Sequence, residues 1–416
     1  MRILFILHQF FPEFSGGTER VALNLARMAQ HAGHHVHVLA CAVHPPGIAA
    51  APVETPVPAC LRLTWDGIPV TLIPRDALPA TADIGFEIDE GLAGRLAAWM
   101  DAERFEVAHV LHTMRMGSAV LAAQRCGLPY VLTLTDFFLP CARINLVTAK
   151  DELCDGPEGG RRCARDCAVP PWDEASYRRR YEHAHALLAA AAERIAPSNF
   201  VAQRFRASFD GLPFKVVPHG IDLVALARAA GAAAQRKPAP GLKLVFAGSV
   251  IPQKGLAVLL RALALLPDRE LSLQAVGGFY GNPAYHQEVR ALAAADPRVH
   301  LAGGLPSAQV YAALRSADLL CLPSQVPESF SLVHVESAAA GIPALVSRLG
   351  APGERVVETG GGMAVAGEDA RAWAGAIGRV LDQPQLLGQW RAALPLPMRI
   401  EEEAFFYDSL LRRARR

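Results

Sequence analysis

The stretch MRILFILHQFFPEFSGGTERVALNLARMAQHAGHHVHVLACA, residues 1–42, decides the fold. It opens with a strand-sized apolar run at residues 3–7 and turns at Ser15, Gly16, Gly17 and Thr18. Apolar residues then recur at helical spacing, at Val21, Leu25 and Met28, and a second apolar run at residues 36–39 follows Gly33. Strand, helix and strand in that order make a βαβ unit. Thr18 is the expected N-cap, because a hydroxyl can satisfy an orphan amide; Gly33 is the expected C-cap, because glycine enters the left-handed region without a Cβ clash. Such a crossover pairs its strands in parallel.

Working outward, similar units recur at residues 68–73, at 107–111 with a helix near 118–125, and at 130–134. Residues 141–172 break the pattern, being rich in Gly, Pro, Cys and charge without hydrophobic periodicity, and a loop of that length is usually functional or tied down. Helical patterning returns at 174–194, followed by strand-like runs at 195–198 and 215–218. A second α/β series begins with a strand at 242–247 and a helix at 255–266. It continues through 271–276, 299–302, 307–315 and 319–323. The expected architecture is α/β, with two Rossmann-like, doubly wound domains facing each other across a cleft and ligands at the carboxyl ends of the strands. Its parts are an N-terminal domain over residues 1–217, a linker over 218–241, a C-terminal domain over 242–395, and a C-terminal helix over 396–416 that can pack back on the first domain.

Composition narrows the function. The 416 residues are 51% hydrophobic and 19% charged, so the chain can bury sizeable cores. Lys and Arg number 41 against 40 Asp and Glu, a formal charge of +1, which leaves no global field to hold nucleic acid. The apolar runs fall short of the roughly 18 residues that a spanning helix needs. No leader-like pattern precedes the first turn, and the expected location is cytoplasmic. Eight Cys in so long a chain do not make a disulfide scaffold.

The sharpest chemical signal is Pro327-Glu328-Ser329-Phe330-Ser331-Leu332-Val333-His334-Val335-Glu336, which runs on to Gly341-Ile342-Pro343. A helix from about Phe330 to Gly341 would place Glu328 in the loop before it and Glu336 about two turns on. A helix N-terminus attracts an anion, and two flanking acids can accept hydrogen bonds from sugar or ribose hydroxyls. That is a nucleotide-sugar geometry; ordinary helix-end charges are the plainer account of the same spacing. Upstream, Gly248-Ser249-Val250-Ile251-Pro252-Gln253-Lys254-Gly255 joins a strand to a helix and poises Lys254 at the turn, where a lysine can neutralise a leaving diphosphate. It is not a Walker A loop, because no Gly-Lys-Ser/Thr closes it. Neither half carries the Gly-x-Gly-x-x-Gly turn that a dinucleotide oxidoreductase wants.

With the Gly16-Gly17 turn and Glu19, the segment Asp136-Phe137-Phe138 and Pro218-His219-Gly220-Ile221-Asp222, these motifs resemble the retaining, nucleotide-sugar-dependent glycosyltransferases of family 4, which have the GT-B fold. The resemblance covers nearly the whole chain. It implies that Glu336 holds the ribose, Glu328 the donor sugar and Lys254 the diphosphate. It further implies that the Gly16 and Gly17 amides hold phosphate from the first domain, and that the amides of Phe330, Ser331 and Leu332 complete the cradle. Three departures stand out. Ser249 occupies a place where many members have Arg, so another Arg or the helix dipole must supply the missing charge. Ser331 replaces a frequent Gly, which permits close approach if its side chain points away. In His109-Val110-Leu111-His112, His112 is the expected histidine near the donor sugar and His109 the alternative, although a satisfied strand-end histidine describes His109 as well.

The resemblance implies hexosyl transfer from a UDP- or GDP-linked sugar to a glycan, lipid-linked or small-molecule acceptor, with retention and without a catalytic metal. The alternatives are a catalytically silent glycosyltransferase-like binding protein and a GT-B enzyme that uses water or phosphate as acceptor. Cys141, Cys154, Cys163 and Cys167 cluster in the long loop of the N-terminal, acceptor-side domain, and four thiolates can close a structural zinc site, although the spacing is not that of a zinc ribbon. Four reduced thiols in a surface flap are the rival. Arg178, Arg179 and Arg180 form one basic cluster, and Arg412, Arg413, Arg415 and Arg416 another near Phe405, Phe406 and Leu410. The second cluster suggests peripheral docking on an anionic membrane face, and a solvated helix face is the alternative.

Overall fold

The computed structural model describes residues 1–43, 51–52, 60–168, 170–228, 241–367 and 369–415. Two compact units divide the chain. Met1–His219 and Ile400–Arg416 form the first, and Gly220–Arg399 the second.

The first unit is built on strands β1 (Arg2–Ile6), β2 (His35–Ala42), β3 (Ala51–Pro52), β4 (Leu61–Trp65), β5 (Ile68–Pro74), β6 (Val107–Val110), β7 (Tyr130–Thr133), β8 (Glu193–Ala196) and β9 (Lys215–Val216). Their order in the sheet is β3-β4-β5-β2-β1-β6-β7-β8-β9. The pairs are parallel apart from β3 with β4 and β4 with β5, an antiparallel edge that the α/β alternation did not announce. The opening βαβ unit sets the centre. β1 and β2 run in parallel with Ile3 opposite Val36 and Phe5 opposite Val38, joined by the helix Gly17–His31. Ile3, Leu4, Ile6 and Leu7 are fully buried, as a parallel strand covered on both faces requires. The N-cap of that helix is Gly16, not Thr18: the chain is already helical at Thr18, and no side chain caps the end. Gly33, at φ +81°, sits just beyond the C-cap Ala32.

Residues Ile400–Ala414 form a helix that belongs to this unit, packed against the helix Gly17–His31 and strands β6 and β7. Three polar contacts seat it: Tyr407 with Thr133 at 2.8 Å, His219 with Glu403 at 2.9 Å, and His34 with Asp408 at 2.6 Å. Leu410 and Leu411 are buried beneath it, Arg412 pairs with Asp408, and Arg415 lies 3.8 Å from Glu106. Leu410, expected on the membrane-facing surface, is therefore committed within the unit, whereas Arg412, Arg413 and Arg415 stay exposed. Phe405 remains exposed, and Arg416 lies outside the described residues. Among the described residues no helix is long and apolar enough to cross a membrane.

The second unit carries β10 (Leu242–Ala247), β11 (Leu271–Val276), β12 (Val299–Gly303), β13 (Leu319–Leu322), β14 (Ala344–Ser347) and β15 (Gly362–Val365). All neighbours are parallel in the order β12-β11-β10-β13-β14-β15, the Rossmann order. Alternate residues of β10 enter opposite cores. Leu244 and Phe246 pack with the helices Leu256–Ala264, Pro283–Ala294 and Ala370–Asp382, around a fully buried Trp373. Val245 and Ala247 pack on the other face with Tyr311, Leu314 and Val356. Leu226 joins that second core, so the helix Leu223–Arg228 is part of this unit rather than a free linker. Residues 229–240 of the expected linker lie outside the described residues.

Several histidines are buried as neutral rings. Burial, aided by the charge of His219, holds His109 down to about 3. Burial with Arg62 and Arg2 holds His37 at about 4, and burial with His112 and Arg115 keeps His8 well below its ordinary value. An unfolded chain binds protons at these sites near pH 6.5, whereas the folded chain refuses them until about pH 4 or below. Stability contributed by the neutral rings is thus present above pH 6.5 and lost as the pH falls. Each ring removes up to about 1.4 kcal/mol per pH unit in that window. Thermal unfolding should shift clearly downward between pH 7.5 and 5.0, and a midpoint that stays constant would contradict this reading.

Candidate functional site

In an open parallel sheet, ligands bind beyond the carboxyl ends of the strands where the strand order reverses. In the second unit that point lies between β10 and β13, and the chain leaving each strand carries one of the residues singled out from sequence. After β10 the backbone turns through Gly248 and Ser249 into a short 3₁₀ turn, Pro252–Lys254. Gly255 follows at φ +69°, and a Cβ there would stand 1.9 Å from the carbonyl oxygen of Pro323. Only glycine lets the two strand exits come this close. The consequence is an ion pair, Lys254 Nζ to Glu328 Oε1 at 2.9 Å.

Glu328 is deeply placed, with its side chain 10% exposed. Burial alone would raise its carboxyl. The charge of Lys254, with hydrogen bonds from the Ser324 hydroxyl and from Lys254, outweighs it and holds the group below its ordinary value. The loop is pinned behind: Ala351 N donates to Glu328 O at 2.9 Å, and a Cβ on Gly350 would meet Glu328 N at 2.4 Å.

The helix that follows runs Leu332–Ala339, two residues shorter at each end than the spacing suggests. Its N-cap, Ser331, has φ +63°, a left-handed conformation unusual outside glycine and a mark of stored backbone strain. Ser331 Oγ is buried and has no hydrogen-bond partner among the described residues. Phe330, Ser331 and Leu332 thus form the strained entrance to a helix N-terminus, one turn from the Lys254–Glu328 pair. Glu336, on the second turn, is 2% exposed and accepts from the Tyr311 hydroxyl at 3.1 Å.

A second cation appears that the sequence did not reveal. Arg355, from the helix Ala351–Thr359, donates to the Phe330 carbonyl at 3.1 Å and to His334 Nδ1 at 3.0 Å, with its guanidinium 4.8 Å over the Phe330 ring. Burial and the Arg355 charge hold His334 at about 3, a neutral acceptor. Ser249 itself is half-buried in the turn and brings no charge. Positive charge beneath the Phe330 loop comes instead from a helix more than a hundred residues on, which no local motif exposes.

The first unit has its own switch point between β1 and β6, and a second polar cluster stands there. His8 follows β1, His112 follows β6 and Asp136 follows β7. His112 Nε2 pairs with Asp136 Oδ2 at 2.5 Å, while its Nδ1 accepts from the Met114 amide at 3.1 Å. That bond fixes the tautomer, with the proton on Nε2 directed to Asp136. The His112 side chain is 4% exposed and that of Asp136 30%, so the open member of the pair is the carboxylate, with the histidine behind it. Asp136 Oδ1 also accepts from Phe138 N at 2.9 Å. His8 stacks on His112 at 3.8 Å between ring centroids and lies 3.6 Å from Glu19 Oε1. His109 is not part of this cluster; it is fully buried in β6 and bonded to Thr133 at 2.8 Å.

Gly16 and Gly17 are exposed at the start of the helix Gly17–His31. The buried Glu19 carboxylate lies close under Gly16, where a Cβ would approach it to 2.6 Å. Burial raises that carboxyl, opposed by its own amide, by Gln9 and by the Gly16 amide. Part of this helix terminus is therefore already engaged by an internal acid.

Comparisons with known proteins agree with the geometry. Residues 15–224 match the model of "Glycosyltransferase Family 4", and residues 241–383 that of "Glycosyl transferases group 1". The D-inositol 3-phosphate glycosyltransferase of Pseudarthrobacter chlorophenolicus is 27% identical over 384 residues, covering 89% of this chain and 83% of the relative. That of Acidothermus cellulolyticus is 28% identical, covering 76% and 67%. Among solved structures, sucrose-phosphate synthase from Thermosynechococcus elongatus superposes with a TM-score of 0.73 at 19% identity, covering 99% of this chain and 98% of that one. Anabaena HepE in complex with UDP-glucose superposes at 0.68 and 18% identity, covering 99% and 100%. The fold is that of the GT-B glycosyltransferases, and with half of its length matched by one family model the chain belongs to glycosyltransferase family 4.

Proposed function

We propose that this glycosyltransferase moves a hexosyl unit from a UDP- or GDP-linked sugar to a glycan, lipid-linked or small-molecule acceptor, with retention of anomeric configuration. The observation that carries the reading is the Lys254–Glu328 pair at the switch point, set against a strained helix N-terminus. A buried acid kept ionised beside a cation suits a ligand with hydroxyls on one side and a diphosphate on the other.

As the anomeric C–O bond breaks, negative charge grows on the departing diphosphate. Preorganised positive groups aimed at that charge stabilise the transition state more than any other device open to the enzyme. Lys254 and the amides of Phe330, Ser331 and Leu332 supply them, Arg355 holds their loop, and no divalent metal is required. Glu328 accepts from the donor sugar and Glu336 from the ribose. In the first unit the Gly16 and Gly17 amides contribute to phosphate binding, and Asp136 meets the substrate with His112 orienting it. For retention, the acceptor attacks from the face that the leaving group vacates, and a phosphate oxygen takes its proton.

A thermal-shift screen against UDP-, GDP- and ADP-sugars, with NAD(P) as control, should give a shift with one nucleotide-sugar, absent in Glu336→Ala. Silence toward all of them would withdraw the donor reading. With that donor, and an acceptor panel that includes the D-inositol 3-phosphate named for the relatives, NMR of the product should show the donor's anomeric configuration. Release of free sugar or sugar phosphate alone would favour water or phosphate as acceptor, and binding without turnover a silent relative. Lys254→Ala should lower turnover by about 10²-fold or more, the scale of one lost preorganised donor. Asp136→Ala should lower kcat by about 10²-fold while leaving the donor-induced thermal shift in place. Near-normal transfer by either variant removes that residue from the site.

A further inference from the structure

The segment from Cys141 to Cys167 plays no part in the proposed transfer, yet it is closely built. Residues 146–154 fold back on themselves: Val147 and Leu153 form an antiparallel bridge, Thr148 N donates to Glu152 O at 2.8 Å, and Cys154 N donates to Leu146 O at 2.8 Å. A single π-helical turn, Cys163–Cys167, follows and is closed by Ala168 N to Cys163 O at 2.9 Å. At that pitch residues four apart lie on about the same face, which puts Cys163 and Cys167 on one side of the turn. Ala149 N reaches Asp166 O at 3.4 Å and ties the fold-back to the turn. That turn and the 3₁₀ stretch Glu158–Gly160 before it pack on the helix Glu174–Ala190, where Gly160 lies so close that a Cβ would meet the Tyr177 carbonyl carbon at 2.6 Å.

Two features of the sulfurs go beyond proximity. The Gly156 amide donates to Cys154 Sγ at 3.4 Å, and the Arg143 and Leu146 amides are directed at Cys141. In each case the residue two positions on presents its N–H to the sulfur, a contact that favours thiolate over thiol. The second feature is Arg180. It is buried between the Phe86 and Phe138 rings, at 5.1 and 5.0 Å, and donates to the carbonyls of Ile84, Leu139, Phe138 and Cys141. Among the described residues no carboxylate pairs with it directly. A buried guanidinium is stabilised by an anion, and the bond to the Cys141 carbonyl sets Arg180 beside that residue.

We propose that Cys141, Cys154, Cys163 and Cys167 bind one zinc ion as a structural tetrathiolate site. One Zn²⁺ replaces four thiol protons, which leave to solvent, and the resulting net charge of −2 faces the buried Arg180. Among the described residues no three His, Cys, Asp or Glu side chains already stand at ion-holding distance, so binding draws the four sulfurs inward. The metal replaces the hydrophobic core that this polar segment lacks. Through the Cys141 backbone, which accepts from Arg180 and donates to the Phe137 carbonyl, it also anchors the stretch that carries Asp136.

The test uses the full chain purified without chelator. Elemental analysis should find about one zinc per chain, and exchange with Co²⁺ alone should give the intense sulfur-to-cobalt charge-transfer and visible bands of tetrahedral thiolate coordination. Cys154→Ser and Cys167→Ser should lose the metal, whereas Cys126→Ser should keep it. Cobalt exchange on the unsubstituted chain does not depend on how the variants fold. Absence of metal with all four thiols freely reactive, disulfides among the four, or iron with inorganic sulfide would each overturn the proposal.

Discussion

A carboxylate withdrawn from water stays charged only beside a cation, and in the second unit that constraint organises everything around Glu328. Lys254 reaches it because Gly255 lets the exit of β10 press against Pro323, with no room for a side chain. Gly350 closes the other side, where its own missing Cβ makes space for the Glu328 backbone. Ser331 takes a left-handed backbone where the loop carrying Glu328 enters the next helix. Two glycines, one strained serine and one lysine thus maintain a single ion pair where the strand order turns back on itself. Charge fixed in advance acts without reorganisation, and a rigid parallel sheet provides such a frame.

The first unit solves a related problem differently. At its switch point the open group is Asp136, oriented by a histidine whose other nitrogen is already bound to a backbone amide. His8 stacks behind, and Glu19 sits under the first turn of the opening helix. This cluster arises where β1, β6 and β7 end side by side, although its members are spread over more than a hundred residues of sequence. The terminal helix strengthens the same sheet from behind. Its Tyr407 completes a chain of polar contacts through Thr133 to His109 Nε2, so the far end of the chain ties into the buried polar groups of β6 and β7.

The formal charge of +1 hides very different settings for individual charges. Arg180 shows the cost of reading charge from a run of letters. In sequence it is one of three arginines on a helix, and the helix could have been a solvated face. Arg178 fits that description, since it is exposed and pairs with Glu174 at 2.9 Å. Arg180 points the other way, into two aromatic rings and four carbonyls. The same lesson holds at Leu410, which reads as part of an amphipathic surface and is fully buried against the first unit.

Periodicity and glycine placement determined a good deal by themselves. The strands Leu242–Ala247 and Leu271–Val276 and the helix Ser307–Arg315 fall where apolar spacing puts them, because burial on both faces of a parallel sheet leaves no choice of residue type. Lys254, Glu328 and Glu336 were legible because a strand-to-helix turn and a helix N-terminus are local features. The tertiary structure alone decided which distant groups complete them. Arg355 beneath Phe330, Tyr311 on Glu336 and Asp136 as the open partner of His112 depend on which helix or strand lies beside which. Sheet order is set by long-range packing, so residues far apart in sequence become neighbours without any signal in the segments that carry them.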